Sequence, residues 1–158
     1  MKRMKNTIHS TKFLQVALTI ALVNFSCQWA STSKISKEEM MNIVKNANAP
    51  FSKGVKQKDS AILASIYAED AQYVQPKTGI IMGKEAIGKE WAGFLRLKEQ
   101  PIDLVLNIKE VEGTKEIIYE TGTGYTLLAD SSKWTFNYVN VWRLQIDGSY
   151  KLEIDTYN

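Results

Sequence analysis

The chain has 158 residues, 44% hydrophobic and 23% charged, which is room for one ordinary globular domain and too little for two. Three Pro and nine Gly exclude a collagen-like or Pro/Gly-rich chain, and a single Cys excludes an internal disulfide framework. The formal charge of +3 comes from the first segment: residues 1–26 hold Lys2, Arg3, Lys5 and Lys12 and no acid, and taking those four from the 20 basic residues leaves 16 against 17 acids, a net of −1. No basic footprint for nucleic acid is left.

The first segment reads as an address. Its four cations precede an apolar run from Phe13 to Val23, the pattern of a secretory signal, and the run is short of the about 20 apolar residues that span a membrane. It ends in Asn24-Phe25-Ser26-Cys27-Gln28. A small residue directly before Cys resembles a bacterial lipobox, although Asn24 stands where Leu or Val is usual. That resemblance implies residues 1–26 as a signal peptide, Cys27 lipidated, residues 27–36 as a polar tether and 37–158 as the domain. An ordinary cleavage near Ser26–Ser31 and an uncleaved anchor are the alternatives. All three export the domain to the cell envelope, periplasm or medium, with membrane contact only through the N-terminus.

The only His is His9 and the only Cys is Cys27, so residues 28–158 hold neither imidazole nor thiol. A Ser-His-Asp or Cys-His triad, a His- or Cys-ligated zinc and a 2-His-1-carboxylate iron site are therefore excluded from that stretch. Acid–base chemistry there falls to Asp, Glu, Tyr or Lys. No cofactor and no metal is indicated.

Ser36 with Glu39 three residues on is a capping box, and Met40, Ile43, Val44, Ala47, Phe51 and Val55 follow at helical spacing, with a kink expected at Pro50. Asp59 caps a shorter helix with Ile62, Leu63, Ile66 and Tyr67 in one stripe. Ala71–Gln75 reads as a strand, Pro76–Gly79 as a turn, and Ile80–Met82 as a short return strand. Gly83 opens a third helix with Ile87, Trp91, Phe94 and Leu95 on one face. After Pro101 the period becomes two, giving strands over about 102–112, 115–128, 133–146 and 149–157. Glu112-Gly113-Thr114 and Asp147-Gly148 are hairpin signals. Helices followed by hairpin-linked strands mean α+β, and Gly122 and Gly124 inside one strand suggest strong bending. A curved antiparallel sheet packed on three N-terminal helices forms a cone with space for a small ligand.

Several stretches resemble NTF2-like proteins, nearest the SnoaL-like and DUF4440-type branch related to ketosteroid isomerases. They are Asp59 to Ala71, Pro76 with Gly79, Ile81 to Ile87 leading to Trp91, and the end from Tyr138 through Trp142-Arg143 and Asp147-Gly148 to Asp155. The resemblance covers about 38–158 and implies the NTF2-like cone and, by analogy, a homodimer. It does not fix a function, because that superfamily includes isomerases, cyclases, hydrolases, dehydratases, transport factors and bare assembly modules. Lined up on it, the catalytic Asp, Tyr and Asp of the ketosteroid isomerases fall at Gln75, Phe51 and Asn140. Gln75 takes no proton near neutral pH and Phe51 donates none, so that activity is not expected.

What is left is a candidate pocket. Period two puts Trp134, Phe136, Tyr138, Asn140, Trp142 and Leu144 on one strand face. With Phe51, Tyr73, Gln75 and Trp91 they would surround an apolar or amphipathic molecule. The same rings could instead fill the cone. Asp155 and Asp70 are the candidate acid–base residues. Asp155 shares a face with Glu153 and Tyr157 that is either inward or solvated, and Asp70 is alternatively a turn or cap partner. Tyr119, Thr121, Thr123 and Tyr125 form one face of the central strand, either lining the pocket or forming a dimer surface. Three functions remain open: small-molecule binding, a cofactor-independent isomerase, lyase or hydrolase using Asp155 or Asp70 with Asn140 and a Tyr, and a dimerisation scaffold.

Overall fold

The computed structural model describes residues 34–158. The signal, Cys27 and most of the tether lie outside those residues.

α1 (Lys37–Gln57) starts where the Ser36 side chain accepts the Glu39 N–H at 3.1 Å, with Glu38 and Glu39 in the positive first turn. It runs through Pro50 and buries Met40, Val44, Phe51, Gly54 and Val55. α2 (Ser60–Ala64) is capped by Asp59, whose carboxylate accepts the Ala61 and Ile62 N–H groups at 2.8 and 3.2 Å. It is shorter than the stripe predicted. Tyr67 leaves the helix and opens β1 (Tyr67–Gln75), because the neighbouring strand captures it: the Leu152 N–H donates to the Ile66 carbonyl at 2.9 Å and Tyr67 pairs with Leu152. A short helix has little hold of its own against such pairing. β2 (Gly79–Met82) returns antiparallel, and α3 (Lys84–Phe94) follows, burying Ile87 and Trp91.

Four strands complete the chain: β3 (Pro101–Gly113), β4 (Ile117–Leu128), β5 (Lys133–Leu144) and β6 (Tyr150–Tyr157). The sheet order is β2-β1-β6-β5-β4-β3, curved and unclosed. The expectation of a purely antiparallel sheet needs one correction. β6 comes back beside β1 and runs parallel to it, so the sheet is mixed. The connection from β1 to β6 carries a helix and four strands, long enough for a parallel return.

The core lies between the inner faces of the helices and the concave side of the sheet, with Trp142, Ile118, Leu152 and Val44 fully buried. Along β4 burial alternates strictly, with Ile118, Glu120, Gly122, Gly124, Thr126 and Leu128 inward. The two glycines have a local reason beyond bending. A Cβ on Gly122 would come within 2.5 Å of the Tyr138 hydroxyl oxygen and of the Asn107 carbonyl, and one on Gly124 within 2.5 Å of the Phe136 ring. Both pairs face each other across β4 and β5, Gly122 with Tyr138 and Gly124 with Phe136. The bare glycine backbone is the shelf on which those rings lie.

Candidate functional site

A cavity of about 630 Å³ opens between α1, α3 and the concave sheet. Eight aromatic side chains line it: Phe51 from α1, Trp91 and Phe94 from α3, Tyr73 from β1, Trp134, Phe136 and Tyr138 from β5, and Tyr157 from β6. Tyr73 stacks on Trp91 with centroids 5.9 Å apart and planes 14° apart, and lies 5.8 Å from Tyr157. Phe51 reaches Trp91 at 5.8 Å. These rings wall the space and leave it open, which decides against a cone filled solid. Gln75 and Glu90 sit together on the lining, the Gln75 amide donating to the Glu90 carboxylate at 3.1 Å.

The polar end is a row of side chains set by strand register. Glu120 of β4 pairs with Asn140 of β5, Asn140 with Asp155 of β6, and Asp155 with Tyr73 of β1. Asn140 and Asp155 both line the cavity and are 2% and 7% exposed, so the cavity reaches two groups that are otherwise sealed from water. Asp155 accepts the Tyr67 hydroxyl at 2.5 Å, and that hydroxyl accepts the Trp91 indole N–H at 3.1 Å. Tyr67 is itself buried, so helix, first strand and last strand are tied at this carboxyl.

Behind Asn140 stands Glu120, with no exposed surface. It accepts Tyr138 Oη at 2.6 Å and Asn48 Nδ2 at 2.7 Å on one oxygen, and Trp142 Nε1 at 2.7 Å and Asn140 Nδ2 at 3.4 Å on the other. Donors from α1 and β5 thus converge on its two oxygens. Burial drives the Asp155 carboxyl up to about 7; the Tyr67 hydrogen bond opposes this and the nearby Glu120 charge adds to it. Burial and the Asp155 charge also hold the Tyr67 and Tyr73 hydroxyls well above the usual phenol range. The Tyr138 hydroxyl is raised likewise by burial and then by Glu120.

Asn140 lies between two carboxyl groups and can turn its N–H to only one of them. In one orientation Nδ2 donates to Glu120. In the other it donates to Asp155 Oδ1 and to the Val139 carbonyl, each at 3.2 Å. A protonated Asp155 can donate to the amide oxygen and suits the first orientation. An ionised Asp155 needs a donor and suits the second.

Of the residues singled out from sequence, Phe51, Tyr73, Gln75, Trp91, Tyr138, Asn140 and Asp155 all line the cavity. Trp142 does not: it is fully buried behind the lining, bonded to Glu120. Asp70 is exposed on β1 and is not among the lining residues. Glu153 parts from Asp155, because a register shift in the β5–β6 ladder turns it to an ion pair with Arg143 at 2.5 Å. Tyr119, Thr121, Thr123 and Tyr125 occupy the face opposite the inward set of β4, which removes them from the pocket. Glu120 escaped the sequence reading, and so did the role of Tyr67, whose spacing continues a helical stripe. The register of the β4–β5 hairpin held the signal for Glu120, since it sets that carboxylate beside Asn140. Among the described residues no three His, Cys, Asp or Glu are grouped to hold a metal ion, and no helix is long and apolar enough to cross a membrane.

Comparison with known proteins agrees with this architecture. Curated proteins give no match. Among solved structures, a protein from Catenulispora acidiphila in complex with S-DNPA superimposes with a TM-score of 0.66 at 13% identity, covering 76% of this chain and 92% of that one. An NTF2-like protein with a cystatin-like fold from Novosphingobium aromaticivorans gives 0.65 at 12% identity, covering 76% and 81%. A ketosteroid isomerase-like protein from Erwinia carotovora atroseptica gives 0.59 at 15% identity, covering 75% and 95%. At such identities the likeness concerns the fold. The SnoaL-like domain model matches residues 50–151, most of the described chain, and the chain therefore belongs to the SnoaL-like domain family of the NTF2-like superfamily.

Proposed function

We propose that the protein binds a small, largely apolar organic molecule in the cavity, held by the aromatic walls and oriented by Asn140 and Asp155. One observation carries this reading: a roomy aromatic cavity ends on two buried polar side chains, the usual make-up of a small-molecule site. Native mass spectrometry of the full chain from its own source tests it. The expected result is a retained organic molecule, lost when Leu106→Trp fills the cavity. A bare-chain mass, together with no thermal shift from any hydrophobic compound, refutes it.

A second reading is cofactor-independent acid–base chemistry on that molecule, favoured by the Asp155 carboxyl at about 7. A carboxyl titrating near neutrality both takes and returns a proton efficiently. The Asn140 amide would donate to a developing oxyanion, and Tyr67 would hold Asp155 in place. Asp70, away from the cavity, has no part in it. Turnover that survives Asp155→Asn unchanged removes this reading.

Export rests on the sequence pattern of residues 1–27, and lipidation of Cys27 is part of this proposal. A detergent-phase partition abolished by Cys27→Ser tests it. A homodimer is proposed through the outer face of β4 and β5, where Tyr119 and Val139 are exposed at 51% and 43%. Sedimentation of the full chain measures it.

A further inference from the structure

The charge of the cavity narrows the chemistry of its occupant. Two carboxyl groups, Asp155 and Glu90, stand on its lining, and a third, Glu120, lies one residue behind. No Lys or Arg lines it among the described residues. The nearest elements supply no counter-charge to Asp155 either. β1 offers Tyr67 and Tyr73, β5 offers Tyr138 and Asn140, β4 offers Glu120, β6 offers Tyr157, α3 offers Trp91 and α1 offers Phe51.

Such a lining repels an anion, which would meet carboxylates with no cation to receive it. It attracts a cation on two counts. The aromatic lining, with Tyr73, Trp91 and Tyr157 in it, offers π-electron density to a cation, and Asp155 offers an oxygen acid on the same lining. Asp155 also lacks a charged partner of its own: its contacts are a phenol and an amide.

We propose that the cavity selects a hydrophobic amine, its ammonium group seated on the Asp155 carboxylate and its carbon body among the aromatic rings. This rests on the cavity being a ligand site and names the class of that ligand. The amine stays protonated near neutrality, so binding it requires Asp155 to be ionised. An acid titrating at about 7 is about one-tenth ionised at pH 6 and about nine-tenths at pH 8. Affinity for an amine therefore rises about tenfold across that interval. A neutral molecule of the same shape shows no such rise.

The test uses three matched probes on the full chain: 1-pyrenemethylamine, 1-pyrenemethanol and 1-pyrenecarboxylic acid, with the smaller naphthyl series beside them. Energy transfer from tryptophan reports binding, since Trp91 and Trp134 line the cavity. The expected result is amine over alcohol by about tenfold at pH 8, with the acid weakest, and an amine affinity about tenfold lower at pH 6. Asp155→Asn, which keeps an acceptor for Tyr67, should erase both the preference and the pH dependence. If it fails to fold, the wild-type pH series still decides. An alcohol that binds as well as the amine, or an acid that binds best, overturns the amine assignment and leaves the cavity a ligand site. If no probe of either series binds, both fall.

Discussion

Replacing Asp155 by Asn converts its electrostatics into a measurable stability curve. A raised acid pKa means that the folded chain holds this proton more tightly than the unfolded chain does. Between the ordinary aspartate value of 3.8 and about 7 the folded state therefore binds more protons, and stability falls as pH climbs through that window. At about 1.4 kcal/mol per pH unit, the ionised side chain costs the fold about 4 kcal/mol above neutrality. The neutral amide of the Asp155→Asn variant carries no such cost and still accepts the Tyr67 hydroxyl. Urea unfolding of both proteins, followed by tryptophan fluorescence from pH 4 to pH 8, isolates the effect, because titrating groups remote from Asp155 cancel in the difference. The variant should gain about 4 kcal/mol on the wild type across the series, most of it between pH 4 and 7. A difference that stays constant with pH refutes the account of Asp155 as a buried carboxyl without a cationic partner.

Glu120→Ala removes the acceptor from Tyr138, Asn48 and Trp142 at once, and the orphaned buried donors should cost about 3 kcal/mol or more in chemical denaturation. Gly122→Ala drives a methyl into the Asn107 carbonyl and the Tyr138 hydroxyl and should cost about 1–3 kcal/mol, read as a lower denaturant midpoint. The side-chain amide resonances of Asn140 should shift with a midpoint near pH 7 as the neighbouring Asp155 ionises, followed by NMR; flat resonances would disconnect it from that acid. Asp70→Asn, on an exposed strand position, should leave stability within about 0.5 kcal/mol and probe affinity unchanged.

Much of the fold was legible because its signals are local. Ser36 and Asp59 cap the helices predicted from them, and period two after Pro101 found all four long strands. The misreadings came where a distant strand overrode local pattern. Tyr67 carries helical spacing, yet β6 pairs with it, and nothing near Tyr67 in sequence announces β6. The face of β5 was legible, since no bulge interrupts its pairing with β4. On β6 the register shift broke the alternation and moved Glu153 away from Asp155. The buried Glu120 was hidden for another reason. A lone Glu among Thr and Gly reads as solvent-facing until the hairpin register sets it beside Asn140 and Trp142 supplies an N–H.

The place of β6 in the sheet bears on how the molecule is made. Without that strand the sheet has two unconnected parts, β2–β1 and β5–β4–β3, and no ladder joins them. β6 follows the other five strands in the chain and bridges the two parts through contacts of long sequence separation, a slow step by the cost of loop closure. Asp155 travels on that bridging strand. The acid arrives in the cavity with the strand that joins the two parts, so a chain halted before β6 would have neither a joined sheet nor this carboxyl on the cavity lining.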